Sequence, residues 1–88
     1  MKNKVLIKLI IPTIDDSFDV FIPVNELIWK VKVLMLKAAF SLEDVEIKNE
    51  LSYILMNRDS GRIYHNNEII INTDIRNGSE LLALPNKE

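Results

Sequence analysis

The sequence contains no cysteine among its 88 residues, and it has only two glycines and three prolines. Without cysteine the chain forms no disulfides, thiolate nucleophiles or zinc–cysteine sites, which fits a reducing cytoplasm. The low glycine and proline content argues against a disordered or low-complexity chain. No apolar run is long enough to span a membrane, and none carries a signal-peptide cleavage site. We therefore expect a cytoplasmic protein without membrane insertion.

Charge and histidine content narrow the function classes further. The formal net charge of −2 gives no attraction to phosphate backbones, so we expect no nucleic-acid partner. His65 is the only histidine and has no second histidine or cysteine with which to share a metal. The adjacent acids Asp15–Asp16 and Glu43–Asp44 lie in predicted loops, where they are better explained as solvated turn residues than as an acid/base pair. We predict no catalytic residues, no metal and no cofactor, and hence no enzyme.

What the chain does contain is apolar material, 48% of its residues, in patterns typical of one compact domain covering residues 1–88. Runs rich in β-branched and apolar residues predict strands, and turn residues such as Pro12, Gly61 and Asn77-Gly78 separate them. A helical pattern follows the second strand, with Asn25 as the predicted N-cap. The predicted strands cover residues 4–11, 17–22, 51–57, 62–64 and 80–84, and the predicted helix covers residues 26–39. Alternation along the first strand places Val5, Ile7, Leu9 and Ile11 on the core face and Leu6 and Ile10 on the opposite face.

The predicted helix carries two apolar stripes at helical spacing, and a helix on a single sheet needs only one. The stripe expected to cover the sheet consists of Leu27, Val31, Leu34 and Ala38, widened by Ile28 and Met35. The second stripe consists of Trp29, Val33, Leu36 and Phe40. This second stripe is either an exposed site for a partner or a second copy, since aromatic residues anchor interfaces, or it is covered by residues 41–50.

The outer face of the sheet is a second candidate for partner binding. On the third strand Ser52 marks the side that tolerates water, so Ile54 and Met56 are predicted to face outward with it. Leu51, Tyr53 and Leu55 are then predicted to face the core. On the last strand Leu82 and Leu84 alternate outward. Four converging aliphatic side chains, Ile54, Met56, Leu82 and Leu84, form a patch of the kind that binds partners.

Three segments carry a resemblance to a known family: Phe18-Asp19-Val20-Phe21-Ile22-Pro23 before the helix, Leu27-Ile28-Trp29-Lys30-Val31-Lys32-Val33-Leu34 within it, and the closing Asp74-Ile75-Arg76-Asn77-Gly78-Ser79-Glu80-Leu81. The order ββ-helix-ββ resembles ubiquitin across nearly the whole chain. It resembles more closely the small ubiquitin-like proteins of type VII (WXG100) secretion systems, of the YukD/EsaB type. The resemblance implies an α+β fold, a ubiquitin-like β-grasp with a mixed sheet of four to five strands packed on one main helix. It also implies a cytoplasmic, non-enzymatic accessory or regulatory protein that docks to a protein partner such as a secretion-system component.

Two alternatives stay open. One is a carrier or modifier protein, because carriers of this fold are adenylated and conjugated through a flexible Gly-Gly tail. In this sequence Leu84 is followed by Pro85-Asn86-Lys87-Glu88 instead, so we do not expect conjugation unless the native chain extends further. The other alternative is a structural module that forms a homodimer through the second helix stripe.

Overall fold

The computed structural model describes residues 3–86, so Lys87 and Glu88 of the predicted tail lie outside the described residues. It contains four strands and one α-helix: β1 (Lys4–Ile11), β2 (Asp16–Pro23), α1 (Ile28–Leu42), β3 (Tyr53–Asn57) and β4 (Glu80–Pro85). The strand order is β2-β1-β4-β3. The central strands β1 and β4 are parallel, and each edge strand is antiparallel to its neighbour. The predicted mixed sheet packed on one main helix is confirmed.

The connections follow from turn residues. Pro12 opens a short 3-10 turn between β1 and β2, and Asp15 closes it in the left-handed conformation, with φ of 52°. Before β4, Gly78 takes φ of 89°, which a side chain would strain. Its N–H donates to the Leu6 carbonyl oxygen at 2.8 Å, and the Asn77 Oδ1 accepts the Leu6 N–H at 2.8 Å. The Asn-Gly turn therefore joins the start of β4 to the side of β1.

The core lies between the sheet and α1. Strand alternation places Ile7, Leu9 and Ile11 of β1 inside, as predicted, together with Leu81 and Ala83 of β4. Further buried residues come from the helix and from the segment that precedes β4: Ile28, Val31, Met35, Leu36, Ala39, Phe40, Tyr64, Ile70 and Ile75. This core covers one face of the sheet, and the opposite face lies outside it.

Three local predictions are wrong. Residues 62–64 form no strand, because only a single bridge links Ile63 to Met56. Leu51 does not face the core: it is exposed in a 3-10 turn, since β3 begins at Tyr53. Asn25 is not the helix cap. The N-cap is Leu27, which has no capping side chain.

The helix start is stabilised by backbone from a distant segment instead. The N–H groups of Ile28 and Trp29 donate to the carbonyl oxygens of Glu68 and Asn66 at 2.8 Å and 3.2 Å. Because these carbonyls satisfy N–H groups that a helix leaves without internal partners, no side-chain cap is needed. The same contacts hold the segment before β4 against the helix.

Candidate partner-binding surfaces

The second helix stripe is largely in the core, which corrects the interpretation of its four residues as an exposed partner site. Leu36 is 0% exposed and Phe40 is 5% exposed, and the Phe40 ring packs edge-on against Tyr53 with centroids 6.0 Å apart. Conversely, Leu34 was predicted to cover the sheet but is 68% exposed. Leu36 and Phe40 are therefore not available to a partner. The alternative cover is also wrong in part, because Leu42 and Val45 of the following connection are exposed and only Ile47 packs on the core.

The error has a physical cause at Lys32. At about 100° per residue, the buried face of α1 is centred on Ile28, Lys32, Met35 and Ala39, between the two predicted stripes. A lysine at that centre makes one wide apolar face look like two narrow ones. Lys32 is nonetheless only 3% exposed. Its Nζ donates to the Tyr53 carbonyl oxygen and to the Asn66 Oδ1, each at 2.8 Å.

The Lys32 side chain thus ties the helix to β3 and to the segment that stabilises the helix start. Burial lowers the pKa of its ammonium, because removal from water disfavours the charged form. Within residues 3–86, no buried side-chain nitrogen or oxygen lacks a hydrogen-bond partner. The charge is therefore tolerated through hydrogen bonds to neutral oxygens.

Trp29 and Val33, the other members of the second stripe, are half-buried. They line a surface groove of about 360 Å³ together with Pro23, Glu26, Lys30, Val31 and Leu34. The groove is open to solvent along the first half of the helix. Two of the four predicted stripe residues therefore remain accessible, but as part of a groove rather than as a continuous apolar ridge.

The structure brings together the four residues proposed for the outer face of the sheet. Ile54 pairs with Leu84 and Met56 pairs with Leu82 across β3 and β4, and residues that face each other in an antiparallel pair share one side of the sheet. All four side chains are half-buried.

Sequence reasoning missed two further members of this patch. Ile10 pairs with Leu82 across β1 and β4, and Ile63, which is 49% exposed, bridges to Met56. Alternation had placed Ile10 on the outer face, but only the register between β1 and β4 shows which residue it adjoins. The sheet patch consists of Ile10, Ile54, Met56, Ile63, Leu82 and Leu84.

A row of charged side chains borders the sheet patch. Lys8 lies in register between Asp19 on one side and Glu80 on the other. Glu80 in turn forms an ion pair with Arg58, with 2.7 Å between Nη1 and Oε1. The patch is thus apolar in its centre and charged along one rim, the arrangement typical of protein–protein interfaces.

The candidate acids and the histidine form no recognisable reaction centre. His65 is exposed, and its backbone N–H donates to the Glu68 Oε2 at 2.7 Å. The two predicted loop acids Asp16 and Glu43 lie close together: a hydrogen bond with Asp16 raises the pKa of Glu43, and the same bond lowers the pKa of Asp16. Both side chains are exposed to water. In the described part of the chain, no three metal-ligating side chains cluster.

A polar cluster around the buried residues Asn57 and Tyr64 lies between β3 and the segment before β4. The Tyr64 hydroxyl donates to the Asp74 carboxylate and accepts a hydrogen bond from the Asn57 Nδ2 at 3.2 Å. The Arg62 guanidinium lies 5.1 Å from the centre of the Tyr64 ring. Burial, and then the bond to Asp74, raises the pKa of Tyr64 from 10.0 to about 12. These contacts fasten an irregular segment to the sheet.

No protein-family model matches the sequence, and no curated protein matches it. Solved structures do match the fold. The ubiquitin-like domain of an Arabidopsis thaliana protein superposes with a TM-score of 0.73 at 15% identity, covering 98% of this chain and 81% of that one. Caldiarchaeum subterraneum ubiquitin superposes with a TM-score of 0.68 at 10% identity, covering 97% and 96%. The protein has the ubiquitin-like β-grasp fold.

A third similar structure is a component of a membrane assembly. One chain of the ESX-5 inner membrane complex superposes on this ubiquitin-like fold with a TM-score of 0.71 at 12% identity. The match covers 98% of the present chain and 22% of that one. At this identity the similarity establishes the fold alone. In the present protein, no helix within residues 3–86 has the length and hydropathy needed to span a membrane.

Proposed function

We propose that this ubiquitin-like protein is a non-enzymatic accessory or regulatory component of a bacterial type VII secretion system, of the YukD/EsaB type. It acts in the cytoplasm by docking to a protein subunit of the secretion machinery. The observation that carries the proposal is the sheet patch, an aliphatic surface with a charged rim on the face of the sheet that the helix leaves uncovered. The presence of the same fold in a chain of the ESX-5 inner membrane complex supports the choice of machinery.

The sheet patch suits docking for three physical reasons. Five of its six side chains come from the hydrogen-bonded strands β1, β3 and β4, and Ile63 is bridged to β3, so their positions are fixed before a partner binds. Binding to a preorganised surface costs less conformational entropy than ordering a loop. The half-buried aliphatics also leave apolar area that a partner can remove from water. The charged row beside them supplies orientation.

The proposal is tested by calorimetry against the cytoplasmic domains of the secretion ATPase and membrane subunits from the source organism. The test variant is Ile63→Asp, because Ile63 lies in the patch but is exposed enough to change without loss of folding. Ile71→Asp is the matched control: Ile71 is also an isoleucine, is 60% exposed, and lies outside the patch in a 3-10 turn.

We expect one of these domains to bind the wild-type protein. Ile63→Asp should weaken that binding by about tenfold or more, since a carboxylate placed in an apolar contact loses its water without gaining a partner. Ile71→Asp should bind as the wild type does. Equal binding by all three proteins would remove the sheet patch as the docking site. Absence of binding to every subunit would remove the secretion assignment.

A further inference from the structure

Strand β2 lies at the edge of the sheet, and the direction of its backbone groups follows from one hydrogen bond. The Val24 N–H donates to the Asn3 carbonyl oxygen at 2.8 Å, towards β1. Because the direction of the backbone groups alternates along an antiparallel strand, the backbone groups of Ile22 and Val20 also point towards β1. The backbone groups of Ser17, Asp19, Phe21 and Pro23 then point away from the sheet.

The outward ladder is limited at both ends. The Ser17 N–H is occupied by the Asp16 Oδ1 at 2.8 Å, and Pro23 has no N–H to donate. Within residues 3–86, the N–H groups of Asp19 and Phe21 have no hydrogen-bond partner. The edge therefore offers two neighbouring outward sites, each with one free N–H donor and one carbonyl acceptor. The outward-pointing residues on either side, Ser17 and Pro23, have no free donor.

These two sites are complementary to themselves. In an antiparallel pair of β2 strands with Asp19 opposite Phe21 of a second copy, each N–H meets a carbonyl, and the two copies satisfy all four free donors. Val20 then lies on the twofold axis. One step further out, Ser17 faces Pro23, and neither has a free donor. A register centred on Asp19 instead would oppose two carboxylates, which is unfavourable.

The exposed leucines of α1 are spaced evenly on either side of the same twofold axis. Leu34 and Leu42 are exposed leucines, 68% and 76%, and each lies four residues from Ala38, so the three form one ridge on α1. Ala38 and Val20 line the same two surface cavities, of about 170 and 140 Å³, between α1 and β2. A twofold axis at Val20 therefore sets Leu34 against Leu42 of the second copy, with the small Ala38 between them.

We propose that the occupant of this edge is a second copy of the same chain. Two β2 strands pair antiparallel in the register described, forming a continuous eight-stranded sheet with both helices on one side. On the other side of the sheet, the two copies of the exposed Phe21 become diagonal neighbours at about 7–8 Å, within reach of aromatic contact. This dimer surface differs from the helix stripe expected from sequence. It also leaves the sheet patch open, since β2 and β3 are opposite edges.

The register is tested by single-cysteine cross-linking, which the natural absence of cysteine makes clean. Across the axis, the Val20 pair belongs to the closely spaced class of antiparallel pair, with about 4.5 Å between Cα atoms, within disulfide range. Val20→Cys should therefore form a disulfide dimer under mild oxidation, and Ser17→Cys should not, because its two copies lie far apart along the strands. A Val20→Cys protein that stays unlinked while Ser17→Cys cross-links would overturn the register.

The interface itself is tested by sedimentation over a concentration series. We expect a monomer–dimer equilibrium that Asp19→Pro weakens by about tenfold, since one outward hydrogen bond is lost per copy. Ser17→Pro is the control, because its N–H takes no part in the ladder. Leu34→Lys should also weaken the dimer, by placing two charges near one axis. A protein that is monomeric at every concentration, or a dimer that tolerates both Asp19→Pro and Leu34→Lys, would refute the proposal.

Discussion

The burial of two leucines in α1 distinguishes the helix orientation in the structure from the orientation expected from the sequence stripes. Leu36 is fully buried and Leu34 is 68% exposed, although the sequence pattern placed Leu34 against the sheet and offered Leu36 as part of an exposed site. Leu36→Ala removes buried methyl groups and should cost about 2–5 kcal/mol of unfolding free energy. Leu34→Ala should change it by about 0.5 kcal/mol or less. Leucine and alanine are both good helix formers, so the difference reports packing.

The loss expected for Leu36→Ala is a large fraction of the total free energy of unfolding. At about 0.05–0.15 kcal/mol per residue, a chain of this length has a free energy of unfolding of roughly 4–13 kcal/mol. The assay is urea unfolding followed by circular dichroism, with both variants measured at a dilution where sedimentation finds monomer, because Leu34 also belongs to the proposed dimer surface. The midpoint should fall for Leu36→Ala at an unchanged slope. A stable Leu36→Ala together with a strongly destabilised Leu34→Ala would mean that the helix faces are assigned the wrong way round.

Three further predictions follow from individual contacts. Phe40→Ala should cost about 3–5 kcal/mol of unfolding free energy, while the half-buried Trp29→Ala should cost less; equal losses in urea unfolding would contradict the assigned burial. Lys32→Glu should unfold the domain, because it turns a carboxylate towards two acceptor oxygens, whereas Lys32→Met should leave a cooperative transition; a stable Lys32→Glu protein would show that this side chain is not buried. The Tyr64 pKa is raised from 10.0 to about 12, so the folded state keeps a proton that the unfolded state loses, and the unfolding free energy should fall as pH rises through this window. Tyr64→Phe should flatten that part of the pH profile, and an unchanged profile would contradict the assignment.

The strands and turns were predictable because their signals are local. Alternation in β1 placed Ile7, Leu9 and Ile11 inside, and the Asn-Gly turn correctly indicated that the last strand follows it. The helix rotation was not predictable in the same way. A lysine side chain is rarely buried, so the sequence pattern did not place Lys32 in the core. Its burial depends on two hydrogen-bond acceptors, the Tyr53 carbonyl oxygen and the Asn66 Oδ1, which lie on other segments of the chain.

The sheet patch was half predictable for a related reason. Parity along β3 and β4 indicated the outward side chains, but neighbours across strands depend on register, which involves residues far apart in sequence. Ile10 and Ile63 were therefore missed. The helix cap was misassigned for the same reason, since the carbonyls that replace the Asn25 side chain come from residues about forty positions later in the chain.

The measurement that tests the proposed function most directly is secretion of WXG100 proteins by the source organism after replacement of the chromosomal gene. Deletion and the Ile63→Asp variant should both reduce the amount of WXG100 protein in the culture medium, whereas the Ile71→Asp variant should secrete at the wild-type level with equal cellular abundance of the protein. Normal secretion in the deletion strain, or in an Ile63→Asp strain that contains a normal amount of the folded protein, would contradict a docking role of the sheet patch in type VII secretion.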